Sequence, residues 1–357
     1  MIFDFSPEQK LIAGQTAILF DRIVGTADLR SPDDALGNAR SRLGELAGAG
    51  VIAMLGDADR GGLGLGTVEA LAVMIEAGAR LLPLPVAEIM AGAAHMADVG
   101  HPAFEAVAAG ERFVTTAWTG DLHAEPEDGG LWLTGDLHRV PFAAAADFLV
   151  APFRIGGGRG EVAVIDLRAA GVEIGGDDGF DPTAPGNAVR LRRHKVARPA
   201  ADGPDAAALL AMRGAILNSG DLCGNARAGL TLTLDHARTR HQFGRAIGAN
   251  QAVKHIASDA FVAIEHARAA VEYAAWCVDT QAPDAEQAAL IAITTAAPAA
   301  RKVAEDCIQM MGGLGYCWEF DQHLFLKRAL RCGEATGSAR AHRERLAAMI
   351  LGGGIAA

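Results

Sequence analysis

Residues 238–255, RTRHQFGRAIGANQAVKH, gather six basic or imidazole side chains around one phenylalanine and two glutamines. The chain as a whole carries a formal net charge of −11, so this cluster is a local exception. Such groups suit a ligand with both phosphate and aromatic parts. The Arg240 guanidinium can neutralise phosphate oxygens and hydrogen-bond them in pairs. Phe243 offers a flat apolar surface, and Gln251 an amide for ribose or phosphate oxygens. The plainer alternative is a solvated helix end, because cations are favoured at helix C-termini. A second stretch, QMMGGLGY at 309–316, puts Gln309 ahead of Gly312 and Gly313. Glycines there clear side chains from the path of a close-passing ligand. Arg213 stands inside the otherwise apolar LLAMRGAILNSG, and a buried arginine needs a partner. An ordinary interhelix ion pair would satisfy it equally well.

Composition bounds what these residues serve. Half of the 357 residues are apolar and 21% are charged, the balance of a globular fold with a large core. The acidic balance argues against nucleic acid as partner. Cys223, Cys277, Cys307, Cys317 and Cys332 show no metal-ligand spacing and read as reduced thiols. The 11 histidines are scattered, His236 and His241 are off the i, i+4 spacing, and no metal site is expected. No run approaches the ~18 apolar residues of a membrane span, and the first residues carry no secretory pattern. A cytoplasmic protein, with no membrane or nucleic-acid partner, is the expectation.

The elements that must position the two clusters follow from pattern. Ser6, Pro7 and Gln9 form a capping box before an apolar-periodic run, and ALGNARSRLGELAGAG reads as a second helix. Residues 1–110 read as a helical domain. From Phe113 the texture changes to short Val-, Leu-, Trp- and Phe-rich runs between Gly, Asp and Pro clusters, which predicts a β-domain over 111–204. Helical period then returns: one long helix to Arg240, then helices over 250–279, 284–311 and 320–351, a four-helix bundle over 205–357. The fold class is α+β, mostly α.

That order, with RHQFG at 240–244 followed by Gln251 and with QMMGGLGY at 309–316, resembles the acyl-CoA dehydrogenase family. Weaker matches are GGLGLGTVEALAVMIEAGA at 61–79 and LKRALR at 326–331. The resemblance covers essentially the whole chain. It implies FAD as cofactor, an acyl-CoA thioester as substrate, an electron-acceptor flavoprotein, and a role in fatty-acid or steroid degradation. It further implies that Arg240, Phe243, Gln251, Gln309, Gly312 and Gly313, with Ser338, contact FAD. In the family, the set from Arg240 to Gly313 reaches across a dimer interface to a neighbour's cofactor.

The family's α,β-desaturation needs a carboxylate to remove the α-proton while the flavin takes the β-hydride. The resemblance places that glutamate either just before the helix arginine or in a Glu-Gly pair before the last helix. Here those positions hold Met212 and Thr336, neither a carboxylate. Arg213 would be a supporting residue. Glu334 is a displaced candidate base, or else a residue favoured near a helix N-terminus. The strand motif beside the flavin is missing from TTAWTGDLHAEPEDGG, and Arg139 and Pro141 replace a Trp-x-Thr. By the resemblance, what is kept would serve a neighbour's FAD, and what is lost would serve the chain's own. That resembles the short, catalytically reduced subunits of heterotetrameric acyl-CoA dehydrogenases acting on steroid side-chain thioesters. The other expectations are a self-sufficient homo-oligomer with Glu334 as base, and a flavin-free binding protein on the same fold.

Overall fold

Helical segments, then strands, then long helices follow one another in the computed structural model, which describes residues 4–25, 29–127, 130–155, 160–177, 179–196 and 205–352. The first helices are α1 (Pro7–Ile23), α2 (Pro32–Gly48), α3 (Thr67–Ala79), α4 (Val86–Asp98) and α5 (Phe104–Ala108). The capping box at α1 is reciprocal: Ser6 N–H donates to Gln9 Oε1 at 2.8 Å and Gln9 N–H to Ser6 Oγ at 3.2 Å.

Seven strands follow: β1 (Val114–Thr116), β2 (Asp121–Glu127), β3 (Gly130–Pro141), β4 (Phe148–Ile155), β5 (Gly160–Asp166), β6 (Val172–Asp177) and β7 (Gly186–Val196). They form one sheet in the order β1-β4-β2-β3-β7-β6, with β5 also paired to β4. Residue pattern alone anticipates five of them but not β2 or β6. In β2 only Leu122 and Ala124 are buried, and its end is Glu-Pro-Glu, a weak strand signature. In β6, which pairs only with β7, two glycines interrupt the run.

The remaining elements are α6 (Ala206–Thr239), the short strands β8 (His241–Gln242) and β9 (Arg245–Ala246), α7 (Gln251–Asp279), α8 (Ala285–Met311), α9 (Gln322–Glu334) and α10 (Ala339–Ile350). The single helix expected over 320–351 is therefore two. Gly337 takes φ +130°, and Ser338 starts a new helix by accepting the Ala341 N–H at 3.1 Å.

The chain divides into two compact units. One comprises Met1–Arg22, Leu71–Leu82 and Ala215–Ala357; the other comprises Ile23–Ala70 and Pro83–Gly214. In the second unit the sheet is tied down by Asp147, buried and paired with Arg40, Arg112 and Arg168 while accepting the Phe113 N–H at 2.9 Å. Burial would raise its pKa, but the arginines and the amide prevail and hold it low. Helix α4 lies close on β1: Trp118 Nε1 donates to Glu88 Oε1 at 3.0 Å, and Thr116 Oγ1 to the Glu88 carbonyl at 2.7 Å.

In the first unit α7 and α8, joined by the short loop 280–284, pack antiparallel, and α9 and α10 both pack on α8. Helices α3 and α6 cross at backbone contact. A Cβ on Gly78 would sit 2.0 Å from the Asp221 carbonyl oxygen, and one on Gly224 1.8 Å from that of Ile75. Beside the crossing Arg328, 2% exposed, donates through Nε and Nη2 to Asp221 at 3.1 and 2.7 Å, and through Nη1 to the Leu82 carbonyl at 3.1 Å. Removing one partner of such a pair strands a buried charge. Asp221→Ala is expected to cost roughly 3–5 kcal/mol in urea unfolding. A loss under about 1 kcal/mol would show that the pair is dispensable.

Candidate functional site

The residues of the two motif clusters lie at one end of the first unit. Helix α6 ends at Thr239, α7 begins at Gln251, and α8 ends at Met311. Because α7 and α8 run antiparallel from a short loop, the start of one lies beside the end of the other. Gln251 and Gln309, nearly 60 residues apart in sequence, thus share an end of the bundle, and both are exposed.

Between α6 and α7 the chain makes a hairpin, with β8 and β9 paired His241 to Ala246 and Gln242 to Arg245. Its two-residue turn is Phe243-Gly244, with φ +54° and +80°. Positive φ at both positions is the turn that matches strand twist, but it strains a side chain as large as Phe. Phe243 is 98% exposed, so packing within the chain does not offset that strain. Asn250 braces the hairpin's exit by accepting from Arg245 Nη2 and donating to the Ile247 carbonyl at 3.0 Å. Arg238 pairs with Asp235 at 2.6 Å, whereas Arg240 is exposed and makes no ion pair among the described residues. At the end of α8, Gly312 takes φ +61°, and a Cβ on either Gly312 or Gly313 would meet nothing within 4 Å. The following segment exposes more rings, Tyr316 at 75% and Trp318 beside it. Tyr316 closes the QMMGGLGY motif, and Trp318, two residues beyond it, lies outside any motif legible in the sequence.

An unpaired guanidinium, two exposed amides, an unpacked ring on a strained turn and a side-chain-free glycine pair fit an anionic dinucleotide. The fit is to an external face of the chain.

The other site residues fall elsewhere. Glu334 is the exposed last residue of α9, and its carbonyl accepts the Gly337 N–H at 3.2 Å. Thr336 Oγ1 lies 3.3 Å from His342 Nε2. Burial lowers the pKa of His342, with Glu334 pulling it up and Arg345 down. Gly333 abuts Ala297, twelve residues before Gln309 on α8, which separates Glu334 from the Gln309 end by roughly 18 Å of helix. Ser338 has its hydroxyl engaged in capping α10. Arg139 sits in β3 with φ +52°, at a register shift against β7.

Met212 and Arg213 belong to the second unit. Arg213 contributes positive potential at Asp98 and His95 of α4. Protein crowded around the Asp98 carboxyl raises its pKa, although the residue reaches solvent at the helix end; Arg213 and Arg60 oppose the rise. Arg60 donates to the α4 carbonyls of Ala97, at 3.1 Å, and Asp98. His95 is buried, and burial brings its pKa down to about 4. Sequence reading missed this group, because nothing in the spacing links residues 60, 95, 98 and 213.

Residues 201–351 match the family model for the acyl-CoA dehydrogenase C-terminal domain. The chain is 30% identical over 361 residues to acyl-CoA dehydrogenase FadE34 of Mycobacterium tuberculosis, covering 98% of this chain and 48% of that protein. The chain belongs to the acyl-CoA dehydrogenase family. It spans about half the length of FadE34. Acyl-CoA dehydrogenase FadE27 of the same organism is 28% identical over 323 residues, covering 85% of this chain and 86% of its own length. Among solved structures, a ChsE4-ChsE5 complex from M. tuberculosis superposes with a TM-score of 0.86 at 24% identity, covering all of both chains. A Tcur3481-Tcur3483 steroid ACAD variant gives 0.87 at 23% identity over 97% of this chain and 98% of that one. These likenesses establish the acyl-CoA dehydrogenase fold. No described helix is long and apolar enough to cross a membrane.

Two outcomes test the local chemistry. Phe243→Gly should leave thermal stability unchanged or raise it by up to about 1 kcal/mol, since the turn favours glycine and no packing is lost. A clear destabilisation would make the ring a structural element. His95 titrates near 6.5 when unfolded and at about 4 when folded. As pH falls through that window the unfolded chain binds the proton first, so stability present above pH 6.5 is lost towards pH 4, roughly 3 kcal/mol in all. Urea midpoints at pH 7 and 5 should therefore differ less in His95→Phe than in the parent; parallel losses would contradict this.

Proposed function

We propose that this chain is a subunit of an FAD-dependent acyl-CoA dehydrogenase that completes the cofactor site of a partner subunit and contributes no base of its own. One observation carries the reading. The cofactor-type residues converge on one exposed end, with Phe243 presented outward at a conformational cost and 98% exposed.

When bound, the flavin supplies the acceptor for a hydride from the substrate β-carbon. The chain's part is to hold it. Arg240 would neutralise the pyrophosphate, Phe243 would cover a flat ring, and Gln251 and Gln309 would bond ribose or phosphate oxygens. Gly312 and Gly313 would admit close approach of the cofactor backbone. At the positions matched to the family's base, Met212 and Thr336 can take no α-proton at a useful rate. In the assembly that carboxylate comes from the partner, whose class is a complete acyl-CoA dehydrogenase subunit. That the same fold occurs in a complex of two differently named proteins supports a two-chain assembly. Steroid and other acyl-CoA thioesters are the substrate classes, and an electron-acceptor flavoprotein reoxidises the enzyme.

Visible absorbance decides the matter. The chain purified alone should carry no stoichiometric flavin, and co-expression with the partner should yield flavin that Arg240→Ala loosens about 10- to 100-fold, the value of one charge-assisted contact. Full flavin and normal turnover in the lone chain would overturn the reading. The second reading, a homo-oligomer using Glu334, draws on the exposure of that carboxylate beside His342. It requires Glu334→Gln to abolish turnover with flavin still bound, whereas the leading reading expects no effect.

A further inference from the structure

The seam between α6 and α9, within the first unit, carries polar groups that nothing described so far uses. Asp221, Asn225, Gly229 and Thr233 stand four residues apart, so they form one row along α6. Contacts at three of these positions fix what the row faces. Asp221 pairs with Arg328 at 2.7 Å. A Cβ on Gly229 would lie 3.2 Å from Gln322 Nε2 and 3.4 Å from the Phe325 ring. Thr233 Oγ1 donates to Gln322 Oε1 at 3.2 Å. Asn225, between Asp221 and Gly229, therefore faces α9 as well.

Asn225 and Gln322 are both wholly buried, at 0% exposure. Yet Nδ2 and Oδ1 of Asn225 and Nε2 of Gln322 have no hydrogen-bond partner among the described residues. Buried polar atoms in folded proteins nearly always meet one. Gln322 Nε2 lies beside residue 229, one helical turn from Asn225, which is about 5–6 Å between Cβ positions. One or two hydrogen-bonded water molecules span that interval, and the glycine puts no side chain in it.

The donor and acceptor set selects what fits. The two amides offer N–H donors together with a carbonyl oxygen, and the charged pair one turn away, Asp221 and Arg328, is already neutral. A cation would suit Asn225 Oδ1 but face the N–H groups. An anion would take the N–H groups but oppose Oδ1. Hydrocarbon would leave all three atoms bare. Water donates, accepts and adds no charge, and it serves either orientation of each amide.

We propose that Asn225 and Gln322 hold a buried water site in the α6–α9 seam, with Gly229 leaving room for it. Water there joins the Asp221–Arg328 pair and the Thr233–Gln322 bond into one continuous polar row. The inference is independent of the proposed function.

A crystal structure of the full chain, with its partner if the pair is what purifies, tests this. Ordered water is expected within about 3.2 Å of the Asn225 amide, bonded to Gln322 directly or through a second water. Asn225→Leu, close in volume, should remove it. Gln322→Met serves as the second variant if that one misfolds, and should lose the water bonded to residue 322. In solution, the side-chain amide protons of Asn225 should show a water cross-peak in the nitrogen-labelled parent. A seam without water, an Asn225 amide bonded directly to protein groups, or water that persists unchanged in Asn225→Leu overturns the site.

Discussion

The antiparallel pairing of two long helices determines where the chemistry of this chain can be. Helices α7 and α8 each run about 40 Å at the usual helical rise, and the loop between them is too short to let them do anything but fold back. Their far ends are therefore together, and whatever the chain carries at Gln251 and at Gln309–Gly313 is delivered to one place. The hairpin at Phe243 lies at the same end because α6 stops there. Nothing in the local sequence of either motif requires this convergence. It is a consequence of helix length and loop length, secured by the glycine-mediated crossing of α3 and α6 and the buried Asp221–Arg328 pair.

The same end shows how a surface can be read for its missing counterpart. A phenylalanine held in left-handed backbone conformation without packing is a poor choice for stability alone. So is a guanidinium left without a carboxylate in a chain with surplus acid. Each becomes reasonable if the contact is made by something outside the chain. At the end of α9, by contrast, the hydroxyl of Thr336 lies against His342 and that of Ser338 caps the next helix. Those groups are already occupied in shaping the break between α9 and α10, where the family resemblance expects a catalytic carboxylate.

Much of the fold was legible in the residues. Helical period, the Ser6 capping box and the Val-rich runs between turn residues carry strong local physics, and α1, α6, α7, α8 and five strands follow from them. The misses share a cause. Strands β2 and β6 are held by pairing with neighbours and not by their own composition, and the break at Gly337 depends on one glycine in an otherwise helical pattern. The cofactor-type residues were legible because motif and charge coincide. The group of His95, Asp98, Arg60 and Arg213 was not, since three segments distant in sequence contribute one or two residues each. Spatial convergence of that kind leaves no spacing to read.

The central claim is that this face holds a flavin belonging to another subunit, and an experimental structure of the FAD-loaded assembly tests it most directly. The account predicts Arg240 and Gln309 within hydrogen-bond distance of a flavin dinucleotide whose isoalloxazine and substrate sites are built by the partner chain. A flavin held entirely within this chain, with the Phe243 hairpin free in solvent, would contradict it.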